Sequence, residues 1–242
     1  MSALPPWLLP LAEQRVGRLI DHTLLKPEVS ESEILAHCDE AIELGLGAVC
    51  VNGQWVPLAA KRLQGTGVLT VSVVGFPLGA SGRHSKVEEA KALHAEGAAE
   101  LDVVQSLGWA RTGQWSLVRD ELAAVVRAVP GCTVKVILET AALSASAFET
   151  ACDAARAAGA RYVKTSTGMH SAGGATEPAV AALRQAVGLD LGVKASGGIR
   201  TPDDALRMLR AGADRLGTSA AAGWKGLVGL RGPTVAEALA AA

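Results

Sequence analysis

The sequence predicts an α/β protein, a single (β/α)8 TIM barrel over residues 1–242 with a short N-terminal extension. Three observations carry the prediction. Apolar runs of strand length recur eight times, each is followed by a segment with helix signals, and a chain of 242 residues has the usual size of such a barrel. Count and length together favour the closed barrel over an open doubly wound sheet.

In chain order the strand-like runs are "RLIDHTLL" (18–25), "GAVCVN" (47–52), "VLTVSVVG" (68–75) and "ELDVVQS" (100–106). They continue as "TVKVILE" (133–139), "YVKTST" (162–167), "GVKASG" (192–197) and "RLGTS" (215–219). Between them, Ser30 with Glu33 and Ser85 with Glu88 read as capping boxes, and Thr201 reads as an N-cap followed by Pro202. The helix after the second strand, "GQWVPLAAKRL", is interrupted by Pro57 near its start. About twelve residues precede the first repeat and form an extra segment. No linker rich in Pro, Gly or Ser divides the chain.

Composition sets the packing and narrows the partners. Hydrophobic residues make up 49% of the chain and mean hydropathy is +0.26, ample material for a large core. Aromatics are only 3%, so Ala, Val, Leu and Gly must pack helices closely against the sheet. A net charge of −1 offers no basic field to nucleic acid or to an anionic membrane, so an anionic partner must be small and held locally. The four cysteines, Cys38, Cys50, Cys132 and Cys152, show no CxxC spacing, which argues against zinc and against a disulfide framework. The start "MSALPPWLLPLAEQR" lacks a basic region and is broken by Pro5, Pro6 and Pro10, unlike a signal peptide. No run has the length of a membrane span. The expectation is a soluble, cytoplasmic protein.

Strands of a parallel barrel are covered on both faces and should be apolar throughout. Asp102, Lys135, Lys164 and Lys194 break that rule in four consecutive strands. Inward residues of alternate strands share a layer, so Asp102 with Lys164, and Lys135 with Lys194, should form two neighbouring layers. A structural ion-pair plug is the plain alternative. Yet three lysines face one aspartate, or two if Asp21 also points inward, and neutralisation needs no such excess. A free lysine amine titrates near ~10.4 and is almost never nucleophilic at neutral pH. Burial and a second cation both depress that pKa. Two lysines in one dry pocket therefore divide the work: one stays protonated, and its neighbour becomes a neutral nucleophile for a carbonyl. Asp102 either carries protons or holds the lysines.

A second signal follows the last strands. "ASGGIRTPDDA" places Gly197 and Gly198 before a helix, and "LGTSAAAG" places Gly217 and Ser219 after the eighth strand. Barrels commonly hold phosphate there, on backbone N–H groups and a helix N-terminus. Thr167 and Gly168, after the sixth strand, are a third contribution. The five histidines (His22, His37, His84, His94, His170) show no HxH or HExxH spacing, which argues against a metal-dependent aldolase; His22 reads as a hydrogen-bonding residue. Trp55, Trp109, Trp115 and Trp224 read as packing residues.

The phrases "IDHTLLKP", "VCVN", "VVGFPLGAS", "ELDVV", "KVILET", "VKTSTG", "VKASGGIRT" and "RLGTS" resemble, in order, the motifs of the deoxyribose-phosphate aldolases. The resemblance runs from about residue 19 to residue 219. It implies a class I, Schiff-base aldolase on a (β/α)8 barrel with no metal or organic cofactor. Such an enzyme interconverts 2-deoxy-D-ribose 5-phosphate with acetaldehyde and D-glyceraldehyde 3-phosphate, in the catabolism of deoxyribose. By the same resemblance Lys164 forms the Schiff base, Lys194 and Asp102 are the proton-transfer pair, and Asp21 and Lys135 support them. Four positions depart from the family pattern: Met169 replaces a lysine of some relatives, and Gln105, Gly53 and Ala220 replace a frequent Asn, Pro and Ser. Family members are often homo-oligomers, and the apolar face of "VAALRQAV" suits either an interface or the barrel's own packing. Two other functions compete: a Schiff-base aldolase with a different acceptor, and a sugar-phosphate sensor without turnover. The intact Asp102, Lys164 and Lys194 argue against the sensor.

Overall fold

The computed structural model describes residues 4–224 and 226–242. Its strands are Ile20–Leu24 (β1), Ala48–Val51 (β2), Leu69–Val74 (β3), Glu100–Val104 (β4), Thr133–Ile137 (β5), Tyr162–Lys164 (β6), Gly192–Ser196 (β7) and Arg215–Thr218 (β8). All neighbouring strands pair in parallel, and β8 pairs with β1, which closes the barrel. The helices are Glu31–Glu43 (α1), Val56–Leu63 (α2), Arg83–Ala95 (α3), Leu107–Arg111 (α4), Trp115–Ala128 (α5), Phe148–Ala157 (α6), Glu177–Val187 (α7), Pro202–Ala211 (α8) and Val235–Ala241 (α9). A short 3₁₀ turn, Pro6–Leu11, makes the expected N-terminal extension, and a second, Val16–Leu19, leads into β1. Among the described residues no helix is long and apolar enough to cross a membrane.

The barrel has two separate apolar clusters, and the period-2 alternation of the strands explains both. Outward residues such as Val49, Val51, Leu101, Val103, Val134, Val136 and Val193 pack against the helices in one large cluster. Inside the barrel a small cluster of Ala48, Cys50, Val71 and Val73 lines the β2–β3 side, joined by Leu25 just after β1. The opposite inner wall, from β4 round to β1, is polar. The interior is thus apolar on one side and charged on the other, and the charged side is the candidate site.

Capping follows the sequence in two of three places. Ser30 accepts from the Glu33 N–H and Glu33 accepts from the Ser30 N–H, a complete capping box. Thr201 caps α8 with Asp204 as its reciprocal partner, and Asp204 also takes the Arg200 N–H at 3.0 Å, fixing the loop after β7. Ser85 with Glu88 is not a cap: α3 already begins at Arg83, after Gly82. That earlier start turns Lys86 inward to meet Glu121 of α5 at 2.8 Å, both fully buried, and Lys86 also donates to the Val104 carbonyl at 2.9 Å. Pro57 falls in the first turn of α2, where it costs no backbone hydrogen bond, so the helix is not broken. The apolar face of α7 (Val180, Leu183, Val187) is buried in the main core, so it serves the barrel's own packing.

The Lys86–Glu121 pair braces the end of β4 against two helices. Glu121→Leu strands a buried ammonium and should lower unfolding stability by about 3–5 kcal/mol in denaturant titration. Adding Lys86→Met should restore most of that loss, because the unpaired charge is then gone.

Candidate active site

All the charges singled out in the sequence meet inside the barrel, and two more join them. Asp102 is at the centre. Its Oδ2 accepts from Lys164 Nζ and from Lys194 Nζ, each at 2.7 Å, and its Oδ1 accepts from Lys135 Nζ at 2.9 Å. Lys194 also donates to Asp21 Oδ2, and Lys135 reaches Glu100 Oε2 at 2.6 Å. Arg215 closes the base of the network, donating from Nε to Asp21 at 2.5 Å and from Nη2 to Glu100 at 3.2 Å.

The register agrees with the expected two layers. Asp102 pairs with Lys135 and Lys164 with Lys194, and Lys164 stands two residues beyond the partner of Lys135, so Lys135 and Lys194 sit one level below Asp102 and Lys164. The long lysine stems then carry the ammonium groups of both layers to one carboxylate. Gly217 makes this possible on β8: a Cβ there would stand 3.2 Å from Lys194 Cε and 3.0 Å from Ser196 Cβ.

Counting charges in this network is informative. Asp21, Glu100 and Asp102 are three acids, whereas Lys135, Lys164, Lys194 and Arg215 are four bases, an excess of one positive charge. All are shielded from water, so the excess is costly unless one base gives up its proton. Burial weighs against charge on each lysine. For Lys194, Asp102 and Asp21 outweigh it and the pKa rises; for Lys135, Asp102, Asp21 and Glu100 raise it likewise. For Lys164 burial prevails, assisted by Lys194, and the pKa falls below the ordinary lysine value. Asp102 is held well below the usual carboxylate range, against the effect of burial, by Lys135, Lys164 and Lys194. Cys50, also facing this interior, is kept a neutral thiol, its pKa pushed up to about 11 by burial and by Asp102.

Lys164 ends β6 and lines a cleft of about 300 Å³ at the C-terminal mouth of the barrel. The six residues expected to hold phosphate, Thr167, Gly168, Gly197, Gly198, Gly217 and Ser219, line the same cleft. Gly168 and Gly197 have φ of +79° and +84° and pack backbone to backbone, so a side chain on either would strain the turn and fill the approach. Lys135 and Lys194 lie deeper, fully buried.

Several residues of this region were not singled out by the sequence. Glu100 and Arg215 stand two positions before Asp102 and Gly217, on the same inward face; strict alternation along the strands would have found them. Lys26 and Arg200 line the cleft and add positive charge to it, on the loops after β1 and β7. Glu139, buried after β5 in a left-handed conformation (φ 55°), accepts from Thr167 Oγ1 at 2.6 Å and steadies the loop after β6. Met169, on the rim, is exposed, and Gln105 is buried with its side-chain N–H donated to the Leu138 carbonyl at 2.8 Å. Gly53 and Ala220 do not line the cleft.

His22 faces outward from β1, hydrogen-bonds Glu40 at 2.5 Å and stacks on His37 with ring centroids 3.7 Å apart. The rings are nearly parallel, 16° apart, and imidazole lone pairs lie in the ring plane, so one ion cannot face both rings well. The stack is read as packing. Trp224 is buried in the core, and Trp55, Trp109 and Trp115 pack against it, as expected.

Comparison with known proteins agrees with this geometry. The family model described as DeoC/LacD family aldolase matches residues 16–232. A deoxyribose-phosphate aldolase of Desulfitobacterium hafniense is 47% identical over 83% of this chain and 93% of its own. One from Histophilus somni is 45% identical over 84% of this chain and 91% of its own. Among solved structures, an aldolase named QR15 superposes with a TM-score of 0.83 at 38% identity, covering 86% of this chain and 93% of that one. The tetrameric deoxyribose phosphate aldolase of Aeropyrum pernix gives 0.80 at 36% identity, over 85% and 87%. With a buried lysine set beneath an open cleft, and with matches over most of its length, this chain belongs to the DeoC/LacD family of aldolases and is a lyase.

Proposed function

We propose that the chain reversibly cleaves 2-deoxy-D-ribose 5-phosphate to D-glyceraldehyde 3-phosphate and acetaldehyde through a Schiff base on Lys164, in deoxyribose catabolism. One observation carries the assignment. Lys164 is the lysine of the buried set that both lines the cleft and has its pKa lowered. Relatives named deoxyribose-phosphate aldolase support the substrate.

In this reading the neutral Lys164 amine adds to the C1 carbonyl, and loss of water leaves an iminium. The iminium draws the electrons of the C2–C3 bond as the C3 hydroxyl gives up its proton. Glyceraldehyde 3-phosphate departs, and an enamine of acetaldehyde remains on Lys164. Protonation at C2 and hydrolysis release acetaldehyde and restore the amine. The proton traffic is assigned to Lys194 and Asp102, because Asp102 Oδ2 bridges the two amines at 2.7 Å on each side. A positioned proton donor of this kind is typically worth about 10²–10⁴ in rate. Asp21 and Lys135 hold the pair in place. The phosphate is assigned to the Gly-rich loops with Thr167 and Ser219, with Arg200 and Lys26 supplying the charge that Met169 does not. Small aldehydes and the sugar phosphate are then the partners, and a homo-oligomer, as in the Aeropyrum pernix relative, fits the same reading.

Incubation with acetaldehyde and borohydride should leave a reduced adduct on the peptide carrying Lys164. An adduct on Lys194 or Lys135 instead would reverse the assignment. Ser219→Glu should raise KM for deoxyribose 5-phosphate on the order of tenfold or more by like-charge repulsion. It should leave kinetics with unphosphorylated deoxyribose nearly unchanged, and an equal effect on both sugars would remove the phosphate from that loop.

A further inference from the structure

The N-terminal end of the barrel, opposite the cleft, holds a second and larger cavity of about 470 Å³. Its roof is the N-terminal extension (Pro6, Trp7, Pro10, Leu11), and its floor is formed by the residues that enter β6, β7 and β8. This end of such barrels normally serves stability alone and is closed by packing.

Its lining carries four arginines, Arg18, Arg161, Arg184 and Arg215, against two acids, Asp190 and Asp214. Arg184 is fully engaged, donating to the carbonyls of Gly212, Gly188 and Leu191 and to Asp214 at 2.6 Å. Asp190, at the rim, faces Arg156 at 3.4 Å. Arg18 donates only to the neutral carbonyls of Leu46 and Gly67. Arg161 has no side-chain hydrogen bond or ion pair among the described residues, and it is exposed at the cavity. Arg215 gives Nε and Nη2 to the buried acids, while its Nη1 has no protein partner among the described residues. Three guanidinium groups therefore keep unpaired charge or donors around one concavity, where low-dielectric walls focus the positive potential. Beside them lie Trp7 and Leu11, both half-buried, the buried Leu191, and Leu189, which is 70% exposed.

We propose that this cavity binds a small organic oxyanion: a phosphate or carboxylate head against Arg161 and Arg215, and an apolar or flat body against Trp7 and Leu189. Guanidinium forks match such heads bidentately, and the indole, with the Arg184 guanidinium 5.9 Å from its ring centre, adds apolar surface for the body. The site is separate from the substrate cleft. It shares only Arg215 with the catalytic network, through Asp21.

Phenyl phosphate titrated calorimetrically into the full chain tests this, with Ser219→Glu used to block the substrate phosphate loop. Binding to Ser219→Glu should persist and should be weakened tenfold or more by adding Arg161→Glu. Leu189→Asp, at a second exposed rim position, should weaken it similarly, so that the result does not hang on one variant. Inorganic phosphate, which lacks the body, should bind at least tenfold more weakly than phenyl phosphate. The proposal fails if Ser219→Glu abolishes binding, which would place the probe in the substrate cleft. It fails equally if Arg161→Glu and Leu189→Asp leave the affinity unchanged, or if the two phosphates bind alike.

Discussion

Asp102 holds three ammonium groups within hydrogen-bond distance in the buried interior of the barrel, and the remainder of the site is arranged around that contact. Two unit charges about 4 Å apart interact by about 4 kcal/mol at an effective dielectric of about 20, so each neighbour here matters. A single carboxylate cannot neutralise three lysines. Asp21 and Glu100 are recruited for two of them, and Arg215 ties both acids to the base of the barrel. The positive charge left over falls on the lysine least served by acids. That lysine is Lys164, whose single acidic partner among the described residues is Asp102, and it is also the one at the cleft.

The fold makes this imbalance sustainable. The β2–β3 wall of the interior is lined by Ala48, Cys50, Val71 and Val73, which offer no polar group to compete for the lysines. Small residues at Gly217 and Ser196 leave room for the Lys194 stem, and the closed ring of parallel strands fixes every Cα from which the charges project. The proposed substrate chemistry lies at one end of this column of charge. Arg215 exposes the other end to the basal cavity, so both mouths of the barrel carry unpaired positive donors.

The strands and most of the site were legible because buried charge is conspicuous in apolar runs. Asp102, Lys135, Lys164 and Lys194 each interrupt such a run, and all four meet. Glu100 and Arg215 were harder to see. Each opens its strand, where a charged residue ordinarily marks the edge of a loop, and only the inward alternation reveals its role. Ser85 with Glu88 shows the converse error: the capping pattern is present, but the tertiary pairing of Lys86 with Glu121 sets where α3 begins. The layer rule placed the Cα atoms, and what it left unread is that long side chains from both layers choose the same partner by charge. Lys26 and Arg200 lie far apart in the chain, and closure of the barrel is what brings their loops to one cleft.

The central claim is that burial, assisted by the cation of Lys194, lowers the pKa of Lys164 and so favours its neutral amine. Its most direct test is the rate of borohydride trapping with acetaldehyde as a function of pH, for the unaltered chain and for Lys194→Leu. Only the unprotonated amine attacks, so the rate rises with pH through the pKa of Lys164. In the unaltered chain that rise should centre below the ordinary lysine value. Removing Lys194 takes away the neighbouring charge and leaves Asp102 to hold the proton on Lys164. The rise should then move to higher pH, with about a tenfold loss of neutral amine at fixed pH for each unit of the shift. A profile that stays in place, or moves to lower pH, would contradict the account and leave Lys194 as an acid or a substrate ligand only.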